Sequence, residues 1–197
     1  MGTIALLLSG AGIVCLTLCI RDLGALMLAA AAGFWLLPYI QGDPDAPAGF
    51  VAQEQPQPAP PTEFKTAAGK SLTLADFRGR VVLLNFWTMS CVPCQSEMPS
   101  FDRLQAMYHG DGLVVLAMSA DDAGSIAVRR FFARNGIHNL TPYLDDAGAT
   151  GIAFNAHRIP TTLLIDRQGL IRARVSGPAD WSSPEARKVI QALVTDG

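Results

Sequence analysis

The stretch Val81-Val82-Leu83-Leu84-Asn85-Phe86-Trp87-Thr88-Met89-Ser90-Cys91-Val92-Pro93-Cys94 decides how this chain folds. It opens on an apolar run of Val and Leu, too short for a helix and suited to a strand buried on both faces. The strand runs into Cys91-Val92-Pro93-Cys94, and the residues beyond carry Met98, Phe101, Leu104 and Tyr108 at helical spacing. The two cysteines are therefore expected where a buried strand feeds the N-terminus of a helix.

That placement has a chemical consequence. A helix N-terminus offers unpaired N–H groups and a positive dipole end, which stabilise a thiolate and lower its pKa. Cys91 is expected to be the more exposed sulfur and the attacking nucleophile. Cys94, one turn into the helix, would resolve the mixed disulfide formed with a substrate. The strand-to-helix context is what a redox Cys-X-X-Cys requires. The bland alternatives are an inert structural disulfide and half of a zinc site. Zinc needs a second ligand pair, yet Cys15 and Cys19 lie in an apolar run and His109, His138 and His157 stand apart.

Composition narrows the classes. The chain has 197 residues, 50% of them hydrophobic, and a formal net charge of −2. That balance gives no basic footprint for nucleic acid, so no nucleic-acid partner is expected. No phosphate-cradling glycine motif is present in the sequence either.

Residues 1–40 are almost uninterrupted apolar sequence, broken only by Arg21-Asp22. Each flank approaches the roughly 20 residues that cross a bilayer, so 1–40 is expected to be a transmembrane anchor of one or two helices. A cleaved signal peptide fits poorly, for want of a basic n-region and a small-residue cleavage site. Arg21 would stay on the cytoplasmic side, with Trp35 and Tyr39 near the exit interface, and the rest of the chain would be exported. Cys15 and Cys19, spaced i, i+4, would serve membrane packing. Residues 41–61 hold six prolines and read as a semi-extended linker without a core of its own.

Residues 62–197 change character to α/β. A hairpin is expected around Ala68-Gly69-Lys70, and a second buried strand over Leu113–Ser119. Asp121-Asp122 and Ser125 would open a helix carrying Ile126, Val128, Phe131 and Phe132, closed by Asn135-Gly136. A short element at Tyr143-Leu144 and a helical turn over 147–154 follow. Thr161–Ile165 and Leu170–Val175 would pair across Asp166-Arg167-Gln168-Gly169. The last helix would start with Ser183 as N-cap and Pro184 at N1, burying Val189, Ile190, Leu193 and Val194.

The order β-α-β-α-β-β-α around a mixed central sheet is the thioredoxin-like arrangement. Over roughly residues 61–197 the chain resembles the TlpA/ResA-like branch of membrane-anchored thiol-disulfide oxidoreductases within the thioredoxin superfamily. The resemblance rests on Asn85-Phe86-Trp87, Cys91-Val92-Pro93-Cys94 and Glu97-Met98-Pro99. It extends to Ile159-Pro160-Thr161-Thr162 with Leu164-Ile165-Asp166 and Gly169. It implies that Pro160 is a cis-proline beside the redox pair, leaving the Ile159 backbone to meet an extended partner chain. It implies that Glu97 tunes thiol ionisation or handles protons during exchange. Pro99 should kink the helix. Trp87, Pro93, Ile159 and Thr161 would support or dock substrate, with pure core packing an equal reading for Trp87. Two departures stand out: Asn85 replaces the buried Asp of thioredoxin, and Ser90 stands where many relatives carry an aromatic.

Thiol-disulfide exchange needs no bound cofactor, only the Cys91–Cys94 pair, and no metal is expected. The resemblance implies partners: disulfides in exported proteins such as apocytochrome c or copper-site assembly proteins, and a membrane thiol-electron transporter as electron donor. A monomer is expected at the inner membrane, its domain facing the periplasm. Two other functions compete. A Cu(I) metallochaperone could use both thiolates with Met89, though that branch usually spaces its cysteines more widely. A thiol peroxidase would need P-x-x-x-T-x-x-C; Thr88 fits, but Leu84 stands in the proline position.

Overall fold

The computed structural model describes residues 50–195 apart from 109, 111, 146 and 147. The expected anchor over 1–40 therefore lies outside the described residues. Among those described, no helix is long and apolar enough to cross a membrane.

Strand β4 (Val81–Trp87) is buried along its whole length. A strand lacks alternation when both faces are covered, and that is the case here. Val82, Leu84 and Phe86 enter a core with Phe64, Phe77, Leu116, Met118, Tyr143, Phe154 and Leu163. Val81, Leu83, Asn85 and Trp87 point the other way and are equally inaccessible.

Around β4 the sheet grows on both sides. Strand β5 (Leu113–Ser119) pairs with it in parallel, Val81 opposite Leu113 and Trp87 opposite Ser119. Strand β7 (Thr161–Ile165) pairs antiparallel, with Phe86 opposite Thr161. The other strands are β1 (Phe50–Pro58), β2 (Glu63–Thr66), β3 (Ser71–Thr73), β6 (Pro142–Leu144) and β8 (Leu170–Ser176). Eight strands run in the order β1-β8-β7-β4-β5-β6-β2-β3. Helices α1 (Val92–Met107), α2 (Gly124–Arg134), α3 (Ala149–Ala153) and α4 (Pro184–Thr195) connect or follow them. The mixed sheet with its flanking helices is the thioredoxin-like fold expected from the sequence. Ser183 Oγ accepts from the Ala186 N–H at 3.2 Å, capping α4 as expected.

Two local expectations fail. Part of the expected linker, residues 50–58, is strand β1, paired antiparallel with β8 and irregular between Ala52 and Gln57. Proline removes a ladder donor but is tolerated on an outermost strand, so Pro56 and Pro58 punctuate this edge without abolishing it. Helix α2 starts at Gly124 with Ala123 as an N-cap that makes no side-chain bond. Its buried residues are Val128 and Phe132, while Ile126 is exposed. The Asp121 carboxylate, expected to open this helix, serves the loop before the cysteines instead.

Candidate active site

The buried strand ends at Trp87, and the chain turns sharply. The Cys91 N–H reaches the Thr88 carbonyl at 3.3 Å, and the Gln95 N–H reaches the Cys91 carbonyl at 3.0 Å. Cys91 is the N-cap of α1, its Sγ accepting from the Cys94 N–H at 3.2 Å. Sulfur here takes the role that a serine or aspartate oxygen plays at most helix starts. The N–H that caps the sulfur and the dipole of a 16-residue helix both favour a thiolate at Cys91 once the pair is reduced.

The two cysteines form a disulfide, with S–S 2.06 Å and Cα–Cα 5.2 Å. Cys91 is partly exposed and Cys94 is 0% exposed. Cys91 is thus the more exposed sulfur, as expected from the sequence. Val92 and Pro93, between them, are both exposed, Val92 by 73%.

The loop is held from two sides. Asp121 Oδ2 accepts from the Met89 N–H at 2.8 Å and from Ser119 Oγ at 2.8 Å. Gln95 Nε2 donates to the Met89 carbonyl at 2.6 Å. Below the loop, Trp87 is fully buried and lies against Phe131 and Phe132, with centroids 5.1 and 5.7 Å away. Asn85 donates from Nδ2 to Thr162 Oγ1 at 3.0 Å and leaves Oδ1 without a partner among the described residues.

Ile159–Pro160 is a cis peptide bond. The Phe86–Thr161 register places Pro160 one residue outside β7, level with the end of β4 from which the cysteine loop departs. Pro160 is buried and Ile159 is 39% exposed, while the buried Thr161 hydroxyl donates to the Arg158 carbonyl.

Glu97 is the unusual charge-bearing group. It sits one turn after Cys94 and is only 3% exposed. Its Oε1 accepts from the Trp181 indole N–H at 3.0 Å, and Oε2 has no partner among the described residues. Burial pushes its pKa from 4.5 up to about 8, and the indole bond opposes that rise only in part. A carboxyl that titrates near neutrality beside a thiol pair is equipped to hold or release a proton. The site residues named from sequence thus fall on the end of β4, the start of α1 and the start of β7. Trp181 and Asp121 were missed. Trp181 is 84 residues from Glu97 in sequence and carries no local motif; Asp121 looked like a helix cap.

A partly exposed sulfur at a helix start, bonded to a buried one on a thioredoxin-like sheet, defines a thiol-disulfide oxidoreductase. The family profile described as Redoxin matches residues 54–190, and the chain belongs to that family. It is 35% identical over 123 residues to the thioredoxin-like protein YneN of Bacillus subtilis, covering 62% of this chain and 71% of that one. To the thiol-disulfide oxidoreductase ResA of Bacillus cereus it is 30% identical over 156 residues, covering 77% and 83%. The crystal structure of a thiol:disulfide interchange protein DsbE from Chlorobium tepidum superposes with a TM-score of 0.64. That match has 28% identity and covers 71% of this chain and 97% of that one. Proteins of this type work with a redox-active cysteine pair rather than a cofactor, and here the pair is Cys91–Cys94.

Proposed function

We propose that this protein reduces disulfides in exported proteins, working from the outer face of the cytoplasmic membrane. In the reductive direction the Cys91 thiolate attacks one sulfur of a substrate disulfide. A mixed disulfide forms and one substrate sulfur leaves as thiolate. Cys94 then attacks Cys91 Sγ, the intramolecular disulfide closes, and the second substrate sulfur leaves. Two electrons pass from the cysteine pair to the substrate, and the two thiol protons end on the substrate's cysteines. Glu97, one turn from Cys94, in its ionised form accepts the Cys94 proton as that sulfur becomes the nucleophile and passes it on to the departing substrate thiolate. Pro160 and Ile159 would line the place where an extended substrate lies, with Trp87, Pro93 and Thr161 supporting it.

The observation that carries this reading is the asymmetry of the pair: an accessible Cys91 at the helix start and a sealed Cys94 beside a buried carboxyl. The apolar run over 1–40 supports a membrane anchor and an exported domain, with a membrane thiol-electron transporter as electron donor. Apocytochrome c and copper-site assembly proteins are the substrates this reading favours.

The deciding experiment is the equilibrium reduction potential of Cys91–Cys94 in the full chain. A value near or below about −200 mV fits a reductant. A value near −120 mV makes the protein a disulfide donor and overturns the proposed direction. Tight Cu(I) binding without disulfide formation would overturn the redox role in favour of metal transfer.

A further inference from the structure

The loop between β8 and α4 touches α1 in a repeating way. Glu97, Ser100 and Arg103 stand at i, i+3 and i+6 on one face of α1, and each is bonded to this loop. The Trp181 indole N–H reaches Glu97 Oε1 at 3.0 Å, and the Trp181 backbone N–H reaches Ser100 Oγ at 3.1 Å. Arg103 donates from Nε and Nη2 to Ser182 Oγ at 3.2 and 3.0 Å. The tryptophan ring is 1% exposed and stacks on Phe101, centroids 5.4 Å apart and planes 16° from parallel.

Packing alone does not call for an indole here. A phenylalanine could fill a slot against Phe101, and the backbone bond to Ser100 needs no particular side chain. What the indole adds is one donor, delivered where water is largely excluded to one oxygen of a carboxyl whose other oxygen has no partner among the described residues. Beside it lies a cleft of about 370 Å³, lined by Ser96, Glu97, Ser100, Arg103 and the loop residues Pro178 to Asp180. The charged groups of that cleft are Arg103 on α1 and Asp180 on the loop, paired with each other at 3.9 Å with both side chains more than half exposed. One turn back on α1 lies Cys94, bonded to Cys91.

We propose that Trp181 is a positioning residue of the redox centre: its indole N–H pins Oε1 of Glu97, so that Oε2 is the oxygen that exchanges protons. The loop carrying Trp181 thereby sets how readily Glu97 ionises. This rests on the reading of Glu97 as the proton carrier for Cys94. A bond donated to a carboxylate favours the ionised form, so removing the donor must make Glu97 harder to ionise.

The test uses the full chain with 15N-labelled indoles and 13C-labelled glutamate carboxyls, in the disulfide form. In the wild type the Trp181 indole resonance is expected to titrate with the Glu97 carboxyl, near pH 8, and to lose that titration in Glu97→Gln. In Trp181→Phe the Glu97 midpoint should rise by about one unit, roughly a tenfold loss of ionised carboxyl at a given pH. Phe101→Leu, which loosens the stack but keeps the donor, should lower the melting temperature and leave the midpoint in place. A Trp181 resonance that stays flat while Glu97 titrates overturns the proposal, even if Trp181→Phe does not fold. So does an unmoved midpoint in a folded Trp181→Phe. The underlying reading of Glu97 fails separately, if Glu97→Gln leaves the pH profile of disulfide exchange unchanged.

Discussion

At Glu97 two effects oppose each other, and burial wins. The carboxyl's folded pKa, about 8, lies above its ordinary 4.5, so the folded state holds this proton more tightly than the unfolded chain. Its contribution to stability is complete below about pH 4.5 and is lost as the pH rises towards 8. Denaturant unfolding of the oxidised protein should therefore show a falling free energy across that window. Glu97→Gln should flatten the fall, and an unchanged slope would mean the carboxyl is not held neutral. The cysteines make a second prediction. Cys94→Ser should trap a mixed disulfide with a substrate, visible by non-reducing electrophoresis, whereas Cys91→Ser should form none, because the remaining sulfur is sealed. At this scale the sequence disclosed the cysteines through local pattern and the cis Pro160 through the family resemblance. Trp181 escaped because its bond to Glu97 is made by tertiary packing, with no periodicity or motif in the loop to announce it.

Among the elements, α1 is fastened far from its catalytic end. The buried Asp102 carboxylate accepts from the backbone N–H groups of His138, Asn139 and Leu140 and from Asn139 Nδ2. Asp102→Ala would orphan those donors in the stretch that leads towards β6. A loss of about 2–4 kcal/mol is expected from denaturant curves, with the redox chemistry retained. A value within about 0.5 kcal/mol would show that water replaces the carboxylate without cost. The α1 helix and the β7–β8 hairpin were legible because apolar spacing and a Gly-bearing turn mark them. Strand β1 was not: its prolines suggest an extended linker, and only pairing with β8 reveals it as strand. Asp121 misled for a related reason, since an aspartate before a helix can serve the helix or a neighbouring loop with equal local propriety.

For the whole molecule, the central strands carry the stability. Leu116 and Leu163 are fully buried on β5 and β7, on either side of β4. Leu116→Ala or Leu163→Ala should each cost about 2–5 kcal/mol by the cavity left behind, read as a drop in denaturation midpoint. The sheet's centre could be inferred from sequence because strands buried on both faces are continuous apolar runs. Its outer order could not, since short strands such as β3 and β6 owe their state to their neighbours. Those outer strands have a consequence of their own. An open row of amides at a sheet margin templates further strands and leads to self-assembly. One margin here, β3, is three residues long, and the other, β1, is interrupted by Pro56 and Pro58. A protein that exchanges disulfides with other proteins can thus meet their chains without recruiting them, or its own copies, into a growing fibre.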